Sequence, residues 1–256
     1  MSSPARRVVS LVPSLTEALA TTRPEALVGV TDWCTHPPDL DARGVARVRG
    51  TKNPDLAAVL ALEPDVVVAN KEENREIDVR RLREAGVRVV VTEIETVPQA
   101  VAEMRRLLVD ELGWTGGAGA GPAWLDAVAD AWLGPLPPVT REVVVPVWRD
   151  PWMVVGAATF TADLCRRLGW RVRHPEPAAR SALARTGEDR YPRVESSWMD
   201  AAGADAVLLM DEPYVFTEDD GPEVFTRTPV EMVSGRLLTW YGPSLLRTRE
   251  SVAREA

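Results

Sequence analysis

Cysteine is nearly absent: Cys34 and Cys165 are the only two in 256 residues, and no CxxC spacing occurs. A disulfide scaffold and a zinc ribbon are not indicated. Histidine is as scarce, with His36 and His174 alone, so a His-rich metal cage cannot be built. Cys34 and His36 stand two apart on a loop that reads as exposed. Two ligands make at most half a metal site, and their functional reading is contact with a ligand that brings its own metal. Basic runs are missing, and the formal charge is −8. Nucleic acid, which needs a basic face, is excluded as a partner, and a docking partner would be basic. No apolar stretch approaches the roughly 18 residues of a membrane span. The N-terminus, MSSPARRVVSLVPSLTEAL, lacks an apolar segment of about 7 to 15 residues with a cleavage site behind it. As written, the chain reads as cytoplasmic; a mis-assigned start would hide an extracytoplasmic protein. The nucleophile elbow G-x-S-x-G and the phosphate loop G-x-x-x-x-G-K-[ST] are absent.

What is present is enough apolar residue, 45%, for one large core or two modest ones. Residues 116–138, GGAGAGPAWLDAVADAWLGPLPP, divide the chain. A glycine-alanine run reads as a hinge. Pro122 suits a first helical turn, apolar residues follow at helical spacing, and Gly134 with three prolines stops the helix. At about 1.5 Å per residue this helix would span roughly 18 Å, suited to a strut between lobes as well as to an ordinary core helix. The expected division is an N-terminal α/β lobe over 1–115, the connecting helix and linkers over 116–138, and a C-terminal α/β lobe over 139–256.

Within the first lobe, VVSLV at 8–12 predicts a strand, and Ser14 with Glu17 forms a capping-box pattern for the next helix. A second strand is expected at 27–30. The stretch TDWCTHPPDLDARGVARVRGTKNP is rich in Pro, Gly and Asp and reads as a long functional loop without regular structure. Further strands are expected at 66–69 and 87–91, with helices around LAAVLAL, 75–85 and 98–112. The second lobe repeats the theme, with strands at 143–147, 171–173 and 206–210, helices at 158–168 and 196–202, and strand then helix signals near 237–239 and 244–249. This alternation implies parallel βα units. The segment NPDLAAVLALEPDVVVANKEE can be laid without gaps on RVESSWMDAAGADAVLLMDEP, pairing Asp65 with Asp205 and Glu72 with Glu212. Any two helix–strand units share part of such a pattern.

Nine tryptophans against three phenylalanines and three tyrosines is an unusual balance. Trp33 begins the long loop, Trp148 and Trp152 follow a strand in VPVWRDPWMVVG, and Trp240-Tyr241 follow LLT. Carboxyl ends of parallel strands face the ligand crevice in open α/β sheets, so these side chains fit a large, partly apolar ligand; they would equally plug the tops of the sheets as core. The carboxylates after two strands, Glu72 and Glu73 and then Asp211 and Glu212, suit a solvated face, a basic partner or acid/base work.

Taken together, VVSLVPSLTE, GTKNPDLAAVLALEPDVVVANKEEN, VPVWRDPWMVVG, VESSWMDAAGADAVLLMDEPYVF and LLTWYGP resemble the substrate-binding proteins of ABC importers for cobalamin and iron-siderophores. These are the helical-backbone metal receptors, and the cobalamin-binding branch is the most similar. The resemblance implies two Rossmann-like lobes with parallel sheets joined by one α-helix, a class III binding-protein fold, and a ligand in the cleft. It implies a monomeric, non-enzymatic protein without a cofactor of its own, any metal arriving within the corrinoid or iron-chelate ligand. By motif position, Glu72, with Glu73 as its alternative, and Glu212 would dock onto an ABC permease. Trp33, Lys52, Asn53, Trp148, Trp152, Trp240 and Tyr241 would contact ligand. The chain departs from the family in lacking a leader and in its short connecting helix. A rival reading is a cytoplasmic enzyme or accessory protein acting on a tetrapyrrole or metal-chelate through its carboxylates.

Overall fold

The computed structural model describes residues 3–115, 121–176 and 190–255. The chain forms two units. One comprises Met1–Ile94, Pro98–Ala131 and Tyr241–Leu246; the other comprises Glu95–Val97, Trp132–Trp240 and Arg247–Ala256. The expected hinge over 116–120 lies outside the described residues.

The first unit is built on a parallel sheet. Its strands β1 (Val8–Ser10), β2 (Leu27–Val30), β3 (Ala46–Arg47), β6 (Val66–Asn70) and β7 (Val89–Thr92) lie in the order β3-β2-β1-β6-β7. Every residue of β6 is buried, as expected of a parallel strand covered on both faces. Helices α1 (Pro13–Thr22), α2 (Leu56–Ala61), α3 (Glu76–Glu84) and α4 (Val97–Arg105) connect the strands or follow them. The core joins Val9, Leu11, Val59, Val67, Ala69, Leu82 and Val89. Asp55 caps α2 by accepting the Ala58 amide at 3.0 Å.

Several sequence expectations need correction here. Val12, not Ser14, precedes the first helix: Pro13 occupies the first helical position, where its missing N–H costs nothing, and Ser14 and Glu17 are both buried within the helix. The long loop is not without regular structure. It contributes β3 to the sheet, and its end forms a small antiparallel hairpin of β4 (Arg49–Gly50) and β5 (Asn53–Pro54). The helix expected to 112 leaves α geometry after Arg105 and continues as a π-helical stretch over Arg106–Glu111. The mid-chain helix α5 spans Ala123–Trp132, burying Leu125, Val128 and Trp132.

The second unit holds β8 (Arg141–Val144), β9 (Pro146–Trp148), β10 (Met153–Val154), β11 (Trp170–Val172), β12 (Ala206–Met210) and β13 (Val230–Val233). Four of these form a parallel sheet in the order β11-β8-β12-β13, while β9 and β10 pair as a separate antiparallel hairpin. Its helices are α6 (Phe160–Arg167), α7 (Ser196–Asp200) and α8 (Gly235–Thr239), and α9 (Ser244–Glu255) begins in the first unit and continues in the second from Arg247. The strand expected at 237–239 is the end of α8, and β13 was not anticipated. Leu238 points into the core beside Val145, Val147 and Met210, so its apolar neighbourhood serves a helix instead.

The two sheets share a plan. In each, the first strand (β1 or β8) has the next strand of the sheet on one side and the later pair on the other, so strand order reverses between β1 and β6 and between β8 and β12. Such a reversal leaves a crevice at the carboxyl ends of the two strands, because the connections depart to opposite sides. Glu72 and Glu73 follow β6, and Asp211 and Glu212 follow β12.

Candidate functional site

In the second unit the site is an aromatic wall on the β9–β10 hairpin and the segment after β12. Trp152 stacks on Phe216 with ring centroids 5.6 Å apart and planes 5° from parallel, and meets Phe225 edge-on at 6.0 Å. Tyr214 leans on Phe216 at 4.7 Å and receives Trp148 in a T-shaped contact at 5.6 Å. Phe216 is fully packed into the core, while Trp148 stays 45% exposed. The wall is therefore anchored from beneath and presents Trp148 outward.

Arg149 fixes the rim. Its guanidinium lies 5.4 Å from the Trp152 ring centre, pairs with Glu223 at 2.6 Å and bonds Asp220. Burial works against the arginine's charge, but Glu223, Asp220 and Asp150 outweigh it and raise its pKa. Asp220 also accepts the Tyr214 hydroxyl at 2.7 Å, and that bond raises the phenol pKa. Tyr214, Phe216, Phe225, Arg149 and Asp220 were not picked out from sequence. The phrase YVF, four residues beyond the end of β12, is the available signal, since it follows a strand end as Trp148 and Trp152 do.

In the first unit the hairpin of β4 and β5 gathers three expected residues. A methyl group at Gly50 would lie 2.5 Å from Asn53 Oδ1 and 3.3 Å from the Trp33 indole nitrogen, so both side chains close over that glycine. Trp33 is 66% exposed. Lys52, at the hairpin tip, donates to the main-chain carbonyl of Glu72.

The turn after β6 is organised by two buried asparagines. Asn70 Oδ1 accepts the amides of Glu72 and Glu73, at 2.9 and 3.3 Å. Asn74 Oδ1 accepts the Asn70 amide, while its Nδ2 donates to the carbonyls of Thr51, at 2.9 Å, and Leu11, at 3.2 Å. One side chain thus ties the end of β1, the hairpin tip and the β6 turn. Glu72 is exposed and Glu73 half-buried. Burial raises the Glu73 carboxyl pKa, Lys52 opposes the rise and Glu72 adds to it. Glu212 stands at the matching turn after β12, half-buried against α8.

Two expectations change. Cys34 is not exposed: it is fully buried, its sulfur 3.1 Å from both Thr16 and Thr31 hydroxyls, and burial raises the thiol pKa against those bonds. It cannot join His36, which bonds Thr35, in meeting a ligand's metal. Trp240 and Tyr241 follow a helix instead of a strand and are 5% and 7% exposed. Among the described residues, no cluster of three or more His, Cys, Asp or Glu is placed to hold a metal ion, and no helix is long and apolar enough to cross a membrane. A depression of about 330 Å³ beside α6, lined by Glu95, Asp163, Trp170 and His174 among others, contains none of the expected ligand residues.

No protein-family model matches the chain. Over 103 residues it is 31% identical to the vitamin B12-binding protein of Pectobacterium carotovorum and, over the same length, 33% identical to that of Salmonella typhi. These alignments cover 40% of this chain and only 37% and 38% of the relatives' own lengths. Among solved structures, a periplasmic heme-binding protein of Pseudomonas aeruginosa superposes with a TM-score of 0.75 at 19% identity, covering 98% of this chain and 92% of that one. The periplasmic vitamin B12-binding protein of Vibrio cholerae gives 0.68 at 16% identity, with 98% and 96% covered. A possible iron-binding, periplasmic solute-binding protein of Staphylococcus epidermidis gives 0.71 at 17%, with 99% and 98% covered. All five are described as binding proteins and none as an enzyme, and the three structures are periplasmic, so the cytoplasmic expectation finds no support. Over the aligned 103 residues the chain is similar to curated vitamin B12-binding proteins, and over nearly its whole length it shares the fold of periplasmic binding proteins.

Proposed function

We propose that this protein is a non-enzymatic receptor for a corrinoid or related iron-chelate, working outside the cytoplasmic membrane as the binding component of an ABC importer. The observation that carries the reading is the aromatic wall: Trp148 is held outward by Tyr214 above a packed Trp152–Phe216 stack, at the strand-order reversal where a ligand is expected. A planar macrocycle gains most from such a surface, because broad apolar faces bury together without disturbing the core. Trp33, Lys52 and Asn53 are the proposed ligand contacts of the first unit, taken by itself. Trp240 and Tyr241 offer little surface and would line the site only at their edges.

Glu72, with Glu73 beside it, and Glu212 are the proposed docking carboxylates for a basic permease surface. The protein acts as a monomer and has no resident cofactor; the ligand brings the metal. Binding without chemistry separates this reading from an enzymatic one. Cyanocobalamin, hemin and a ferric siderophore are each incubated with the protein, passed through a desalting column and released by denaturation. The receptor reading expects one of them to co-elute and to be recovered chemically unchanged. A product recovered in place of the ligand would overturn it.

A further inference from the structure

Within the second unit, Glu212 does not stand alone on its turn. A methyl group at Gly235 would lie 2.4 Å from Glu212 Cγ, 2.6 Å from its carbonyl oxygen and 3.1 Å from its amide nitrogen. Only a residue without Cβ lets α8 begin this close to the turn. The Gly235 amide donates to Asp211 Oδ1 at 2.7 Å, which fixes the first turn of α8 to the residue before Glu212. The Thr239 hydroxyl donates to the Gly235 carbonyl at 2.8 Å and reaches Glu212 Oε1 at 3.3 Å. Its single proton is shared between the two acceptors, so the state of the carboxylate bears on the hydrogen bonding of α8.

The other end of the same helix is Trp240. Its amide donates to the Arg236 carbonyl at 3.3 Å, and the Arg236 guanidinium lies 5.5 Å from its ring centre. Leu238 is buried in the core, and the Leu237 carbonyl accepts the Thr248 hydroxyl at 2.6 Å. Anchored on both sides, the five-residue helix has little freedom to bend, so displacement at one end is passed to the other.

We propose that Gly235 and Thr239 are positioning residues for Glu212, and that α8 holds this carboxylate in mechanical contact with Trp240. The inference rests on the receptor reading for its consequence, which is that a ligand shifting Trp240 alters the presentation of the docking carboxylate. The link itself exists without ligand and can be tested without one.

The test uses the full chain with the Glu212 carboxyl carbon and the Trp240 indole N–H followed by NMR. In the ligand-free protein, Glu212→Ala is expected to move the Trp240 signal by more than a linewidth. Thr239→Val is expected to move both the Glu212 and the Trp240 signals, and Thr239→Ser to restore them, since Ser keeps the shared proton. An unmoved Trp240 signal in Glu212→Ala, or identical spectra for the Val and Ser variants, would overturn the link. Gly235→Ala is a harsher variant; if it fails to fold, the Thr239 pair still decides. A second arm adds saturating cyanocobalamin. A shift at Glu212 in the wild type that is absent in Thr239→Val, with tryptophan quenching showing binding to both, supports the coupling. Saturable quenching with Glu212 unmoved overturns the coupling and leaves the cobalamin reading standing. Absence of quenching with the ligand-free arm intact defeats the cobalamin reading and leaves the positioning role standing.

Discussion

Asp65 and Asp205 hold the same place in the two units, and each both accepts an amide from the neighbouring strand's start and donates its own amide back to the same residue. Asp65 accepts the amides of Arg6 and Arg7, at 2.7 and 2.9 Å, and donates its own amide to the Arg7 carbonyl at 2.8 Å. Asp205 accepts the Glu142 amide at 2.7 Å and donates to the Glu142 carbonyl at 2.7 Å. Each stands immediately before a fully buried strand, β6 or β12, and clasps the start of the neighbouring strand, β1 or β8. Glu72 and Glu212 follow the two aspartates at the same interval. The clasp sets the register that delivers each glutamate to the carboxyl end of its sheet.

Replacing either aspartate by alanine leaves main-chain amides at a strand start without their carboxylate. Asp65→Ala and Asp205→Ala are each expected to cost about 1 kcal/mol in urea unfolding, and their effects to add, because each acts within its own unit. A strongly non-additive double variant would contradict the independence of the two clasps.

The Asn74 side chain makes three hydrogen bonds that join the end of β1, the hairpin tip and the β6 turn. Asn74→Ala is expected to destabilise the protein by about 2 to 3 kcal/mol, because two carbonyls and one amide lose their partner in buried surroundings. Hydrogen exchange at the Asn70 amide, measured alongside, should rise more than exchange in β12.

Asp200 gives the second unit an acid-sensitive joint. The amide of Thr228, then those of Arg227 and Thr226, and the Thr226 hydroxyl lower its pKa from 3.8 to about 2. Because the folded value is the lower one, this contribution to stability is fully present above about pH 4 and is lost as pH falls through about 2. Urea midpoints of the wild type and Asp200→Asn should therefore differ most at pH 5 and converge toward pH 2. Parallel curves across that range would refute the assignment.

Trp148 and Trp152 belong to one hairpin but are expected to fail differently. Trp148→Ala removes a half-exposed ring, so cyanocobalamin affinity should fall tenfold or more with the melting temperature nearly unchanged. Trp152→Ala breaks the stack on Phe216 and should lower both stability, by about 2 kcal/mol, and affinity. Equal affinity in Trp148→Ala and wild type would remove Trp148 from the site.

The internal strands are legible in the sequence because VVVA and AVLLM are uninterrupted apolar runs bounded by turn residues, and the gapless pairing of their flanks sets Asp65 against Asp205. What escaped was decided by distant partners. The two-residue strands β3, β4 and β5 exist only through pairing with other segments, so no local periodicity marks them. The apolar Leu237-Leu238-Thr239 suits a strand or a helix turn equally, and the close approach of Gly235 to Glu212 selects the helix. Cys34 reads as a loop residue until Thr16 and Thr31 close around it. The aromatic wall was half legible: Trp148 and Trp152 announced themselves at a strand end, whereas Tyr214, Phe216 and Phe225 join them from the far side of β12.

The central claim is binding of a corrinoid or iron-chelate, and isothermal calorimetry tests it most directly. Cyanocobalamin, hemin and a ferric siderophore are titrated separately into the purified full chain. The account predicts saturable heat for at least one of them, one ligand per chain, with micromolar or tighter affinity, about −8 kcal/mol or better. No saturable heat from any of the three, with a protein that melts cooperatively, would contradict it.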